Sequence, residues 1–183
     1  MKKLLILLLL IPVSLFSQSE EIVDLDSINY YFEILLNNER DSINNYHKND
    51  SSFQQLNTVT VETDESKFVN PWKHVNYMID ALHDGEKFYG HSTTNFENTT
   101  FSFGCPDGTS REIAEFLFNG WKKSKRHYAF MIQDESCYDG TRYEGYKWFE
   151  SGDYKTFKII FVKSYDESRK HHGAFASTFT AWD

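Results

Sequence analysis

The sequence predicts an α+β domain. Apolar residues recur at helical spacing three times before residue 125. After residue 136 the chain turns aromatic and β-branched, with stretches that alternate every second residue. Helical patterns thus come first and strand patterns follow, the order expected of helices packed on an antiparallel sheet rather than of a βαβ repeat. No internal repeat and no long linker interrupts the series.

The first helix is read from Ile28, Tyr31, Phe32, Leu35 and Leu36, offsets of 0, 3, 4, 7 and 8 that fall on one face. Residues 44–64 are rich in Asn, Asp, Ser and Thr and predict a loop, with Val59 and Val61 marking a short strand inside it. A second helix is expected over 67–84. Trp72, Val75, Met78, Ile79 and Leu82 share its face, Pro71 stands where a helix tolerates it, and Gly85 ends it. Thr109 and Glu112 form a capping-box pattern ahead of a third helix, whose inward face is Ile113, Phe116, Leu117, Gly120 and Trp121. Tyr143–Phe149 and Tyr154–Lys163 predict a hairpin around the turn at 150–153. The run Ile159-Ile160-Phe161-Val162 predicts a strand covered on both faces. Residues 175–181 alternate and make a last strand.

The N-terminus predicts export. Lys2 and Lys3 precede the apolar stretch Leu4–Val13, and Ser14–Ser17 follow, which is the layout of a signal peptide cut near Ser17/Gln18. The apolar stretch is well short of the ~20 residues a membrane-spanning helix needs. No later segment is apolar and long enough to span a bilayer, and no Cys stands at the cut to carry a lipid. The expected organisation is therefore a signal peptide at 1–17, a polar tail at 18–26 and one domain at 27–183, placed outside the cytoplasm, secreted or periplasmic.

Charge excludes two partner classes. The chain carries a net −8, and loss of Lys2 and Lys3 takes it two lower, to −10. A surface this acidic does not suit general nucleic-acid binding, nor does it suit anionic lipid headgroups. Export permits a disulfide between Cys105 and Cys137. It would close a loop of about 32 residues, worth roughly 3–4 kcal/mol on the chain-entropy model. The sequence leaves paired and free thiols both open.

Of the seven histidines, His91 and His127 stand out, with Glu97 close after the first. Two imidazoles and a carboxylate in one cleft can hold a divalent cation such as zinc, with His91 and His127 as ligands, or can do acid–base work. Residues scattered in this way are more often surface or structural groups. Ser92 and Ser124 lie near these histidines, but neither sits in a nucleophile elbow. His171 and His172 fall in a charged stretch that reads as a solvated loop.

Four segments in order resemble the CAP superfamily, the SCP-like domains of cysteine-rich secretory proteins, venom allergens, plant pathogenesis-related proteins and bacterial exported proteins. Leu35-Leu36-Asn37-Asn38-Glu39-Arg40 is similar to its opening Asn-x-x-Arg helix. Lys87-Phe88-Tyr89-Gly90-His91-Ser92 is similar to its aromatic and His-Ser segment. Phe96-Glu97-Asn98 resembles its Gly-Glu-Asn motif, and Phe118–His127, with Trp121, Ser124 and His127, resembles its Trp-x-x-Ser-x-x-His segment. The likeness spans about residues 28–132. Phe96 stands where the family has Gly, Lys125-Arg126 stand where it has Pro-Gly, and Ser124 stands where animal members place a second Glu. The resemblance implies an α–β–α sandwich with a central antiparallel sheet. It implies a cleft lined by His91, Glu97 and His127, and an Asn98 that ties loop backbone. It also implies a binding module for a small ligand, lipid, metal or surface protein. The alternative is an extracellular hydrolase, metal-assisted or with His127 as base and Glu97 as its partner.

Overall fold

The computed structural model describes residues 23–88, 97–104, 106–132 and 154–182. The signal segment, His91, Ser92, Cys105, Cys137 and the expected strand at 143–149 lie outside the described residues. Helix α1 is Leu25–Tyr46, strand β1 Thr60–Val61, helix α2 Val69–Asp84 and strand β2 Glu97–Phe103. Helices α3 (Ser110–Lys122) and α4 (Lys125–Ile132) follow, then β3 (Thr156–Tyr165) and β4 (Gly173–Trp182). A 3-10 turn, Glu65–Phe68, leads into α2. The class is α+β, with a four-stranded sheet in the order β1-β3-β4-β2.

The sheet is mixed, which corrects the expectation of a purely antiparallel one. β3–β4 and β4–β2 run antiparallel, but β1 joins the edge of β3 in parallel, Thr60 beside Thr156 and Val61 beside Phe157. β1 is only two residues long, and α1 fixes its course. Asn29, Glu33, Asn37, Arg40 and Asn44 form a polar stripe along α1 at three- and four-residue spacing. Each carboxamide of Asn37 and Asn44 grips one extended residue at both its N–H and its C=O. Asn37 holds Val59 at 2.9 and 2.8 Å, and Asn44 holds Leu56 at 2.7 and 2.9 Å. Glu33 accepts from the Val61 amide at 2.9 Å. Asn29 does the same for Ile159 on β3, at 2.8 and 2.9 Å. There the amide side chain takes the place of a strand beyond the end of β1, so buried backbone groups stay paired.

Two apolar layers lie on opposite faces of the sheet. On one, Phe157, Ile159, Phe175 and Phe179 pack with Ile28, Phe32 and Leu36 of α1, Ile113, Leu117, Phe118 and Trp121 of α3, and Phe130 and Met131 of α4. On the other, Ile160, Ala174 and Ala176 pack with Val75, Met78, Ile79 and Leu82 of α2 and with Phe68. β3 and β4 are therefore covered on both faces, as the run Ile159-Ile160-Phe161-Val162 predicts for β3. Phe179 sits at the centre of the first layer, its ring against Phe32, Trp121, Phe130 and Phe157.

Several expectations need correcting. α1 starts at Leu25, capped by the Asp24 side chain on the Ser27 amide, so the tail is shorter than 18–26, and it runs to Tyr46 into the expected loop. The inward stripe of α3 is Ile113, Ala114, Leu117, Phe118 and Trp121. Phe116 is exposed and meets Phe175 edge-on. Trp72 is likewise exposed, because Pro71 and Val75 take the inward positions of that turn. The capping box of Thr109 and Glu112 forms as expected, and Gly85 ends α2 in the left-handed conformation, φ 65°. Among the described residues the hairpin partner of β3 is β4, across the turn at 166–172 that holds His171 and His172.

Candidate functional site

The motif residues meet around the start of β2. Strand alternation turns Glu97 toward α2 and Asn98 toward α3 and α4. On the α2 side, His74 Nε2 stands 3.3 Å from Glu97 Oε1. The Glu97 side chain is fully buried and that of His74 is 10% exposed. Glu97 lies directly across from Thr180 on β4, and Thr99 across from Thr178. Thr178 and Thr180 are buried as well, so the carboxylate stands in a polar row floored by hydroxyls.

On the other side Asn98 Nδ2 donates to the His127 carbonyl at 2.8 Å. The Trp121 indole donates to the Thr99 carbonyl at 3.1 Å. Ser124 sits in the break between the helices: its N–H donates to the Trp121 carbonyl, and its own carbonyl accepts from the Tyr128 amide that opens α4. Arg40 reaches the same region from α1. It is 1% exposed, donates to the carbonyls of Asn57 at 2.7 Å and Met131 at 3.1 Å, and lies 4.6 Å over the Tyr154 ring. Tyr154 donates to the Met131 carbonyl, and burial pushes its phenol up to about 12. Glu39, beside Arg40 in sequence, takes Lys122 of α3 and the Tyr128 hydroxyl of α4. Burial works to raise its carboxyl, but those two donors prevail and hold it below the usual range.

Thus Arg40, Asn98, Trp121, Ser124 and His127 belong to one bonded framework that positions β2 against α3 and α4, while Asn37 anchors the chain leading to β1. The structure places the His127 backbone at Asn98 and the Glu97 side chain on the opposite face of the strand. His91 lies outside the described residues, as do Cys105 and Cys137.

His74 was missed by sequence reasoning. It stands 23 residues before Glu97 on a helix whose apolar stripe dominates the pattern, and no local spacing links the two. Chemically, a carboxylate on one ring nitrogen of a near-buried imidazole fixes the ring's orientation, as in oriented bases and in supported metal ligands. A second missed histidine, His83, is structural. The carbonyl of His171 can only accept, so Nδ1 donates to it at 2.5 Å, and Nε2 takes the Ser164 hydroxyl at 3.0 Å. The two bonds tie the β3–β4 turn to the end of α2. No group of three or more His, Cys, Asp or Glu among the described residues is arranged to hold a metal ion. The described donors alone therefore do not fit a zinc centre. No helix among the described residues is long and apolar enough to cross a membrane.

Comparison with family models, with curated proteins and with solved structures finds no match to this chain.

Proposed function

We propose that this chain is an exported, CAP-like (SCP-like) binding module whose recognition cleft opens at the start of β2. The observation that carries the reading is the joining of the motif residues there: Glu97 is buried against His74, and Asn98 is bonded to the backbone of His127. Helices on both faces of the sheet are consistent with the α–β–α sandwich of that superfamily, with β1 as a parallel addition at its edge. The bonded positions of Arg40, Trp121 and Ser124 support carrying the motifs over residue by residue. In this reading His127 and His91 face the ligand, while Glu97 stands behind the strand, held in place by His74. The ligand is recognised through imidazole groups, and a divalent cation such as zinc is the simplest probe of that chemistry.

The test is calorimetric titration of residues 18–183 with zinc chloride at pH 7.5, beside Glu97→Gln and His91→Ala/His127→Ala. One site per chain is expected, weakened about tenfold or more in His91→Ala/His127→Ala, which removes its imidazoles, and kept in Glu97→Gln, whose side chain is buried on the other face of β2. No binding to the wild type, or equal binding in all three proteins, overturns the reading.

A further inference from the structure

The corner between α3 and α4 concentrates positive charge on an acidic protein. Lys122, Lys123, Lys125 and Arg126 stand almost side by side. They carry +4 of a chain whose net charge is −8, so everything else sums to −12. No Asp or Glu lies between Glu115 and Asp134. All four cations are exposed.

The backbone of this corner is held from below. α3 ends at Lys122 and α4 begins at Lys125. Between them the Ser124 N–H donates to the Trp121 carbonyl at 3.1 Å, and the Ser124 carbonyl accepts from the Tyr128 amide at 2.8 Å. Trp121 and Phe130, on either side, are buried in the core. Lys122 is taken by Glu39 at 2.6 Å and lies over the Phe118 and Tyr128 rings. Lys123 and Lys125 have no carboxylate partner among the described residues. With Arg126 they rise from a fixed turn, so little backbone order has to be created when an anion docks.

Charge and shape together choose the partner. The patch is small and the remainder of the molecule is strongly negative. A flat anionic membrane or a DNA duplex brings that remainder within a Debye length, about 8 Å at physiological salt, and is repelled. A thin polyanion lies on the corner alone. A single-stranded nucleic acid is thin, but its bases need aromatic platforms. Here Trp121 and Phe118 are buried, and Tyr128 is half-buried beside Lys122. What remains is a thin polyanion without bases.

We infer that this corner docks a linear anionic polysaccharide, its sulfate or carboxylate groups lying on Lys123, Lys125 and Arg126. Short runs of Lys and Arg at this density are a recurring footprint for such polymers. Neither His91 nor Glu97 is needed for it.

The test is calorimetry of residues 18–183 with a heparin dodecasaccharide across about 50–200 mM NaCl, beside Lys123→Gln/Lys125→Gln and Lys73→Gln. The wild type is expected to bind with a slope of log K against log salt of about −2, three cations at roughly 0.7 each. The double variant alters exposed side chains, so the fold is not at stake. It should bind about tenfold more weakly, two surface charge contacts together, with the slope shrinking to about −0.7. Lys73 is exposed on α2, across the sheet from α3 and α4. Lys73→Gln removes the same charge there and should bind as the wild type does. Failure of the wild type to bind heparin overturns the inference. So does an unweakened double variant, an equal loss in Lys73→Gln, or tighter binding to phosphatidylglycerol vesicles or to oligo-dT.

Discussion

Glu62→Gln isolates one carboxylate whose charge stabilises the fold. Burial raises the Glu62 carboxyl, but hydrogen bonds from Lys67, the Asp64 amide, the Thr156 hydroxyl and the Thr63 amide outweigh it and hold it at about 2, from an ordinary 4.5. At 1.36 kcal/mol per unit, that displacement is worth at most about 3 kcal/mol. Lys67 is a third exposed, so solvent screening reduces the figure to about 1–2 kcal/mol. A carboxyl depressed by folding stabilises the native state above its unfolded value and loses that contribution as pH falls through its folded value. The wild type is therefore expected to exceed Glu62→Gln by about 1–2 kcal/mol at neutral pH, or roughly 2–8 °C in Tm for a domain of this length. The gap should narrow steadily below pH 4.5 and close toward pH 2. Urea denaturation at pH 7, 4 and 3 measures it, and taking the difference between the two proteins cancels the other carboxylates. A gap as large at pH 3 as at pH 7 would show that lost packing, not lost charge, separates the proteins.

Two further substitutions probe the framework. Asn29→Ala strips partners from the buried N–H and C=O of Ile159 and should cost about 2–4 kcal/mol in chemical denaturation. Asn29→Asp, which still accepts but cannot donate, should recover less than half of that, and full recovery would refute the two-point grip. Arg40→Met takes one donor from the carbonyls of Asn57 and Met131, the second of which keeps the Tyr154 hydroxyl, and removes the cation over Tyr154, for a loss of about 2–4 kcal/mol. Arg40→Lys should not restore it, because a lysine cannot fork between two carbonyls on different elements. Equal stability of Arg40→Lys and wild type by thermal denaturation would remove Arg40 from its anchoring role.

The sequence by itself determined the parts of this protein that obey a local period. α2 and α3 are legible because their buried stripes repeat at helical spacing, and the Thr109–Glu112 box and Gly85 mark their ends. β3 is legible because burial on both faces demands the unbroken apolar run Ile159–Val162, and β4 because its residues alternate. Two elements were not legible for the same reason. β2 carries Glu, Asn, Thr and Ser at an edge of the described sheet, so no apolar alternation announces it. α4 opens with Lys125-Arg126-His127, which alone resembles a turn, and only the apolar Ala129–Ile132 carries it onto the core.

The site divides along the same line. Glu97 and Asn98 form one local group and Trp121, Ser124 and His127 another, and each group was legible because its members lie within a few positions of one another. The bonds that give them meaning join residues far apart: Asn98 to His127, Trp121 to Thr99, Arg40 to Met131 and His74 to Glu97. The same holds for the asparagine stripe of α1, whose partners lie on the 56–61 segment and on β3. Local patterns record which face of an element is dry. Which polar group satisfies which backbone atom across the sheet is decided only when the layers close, since a buried donor or acceptor accepts whatever partner the packing brings within reach.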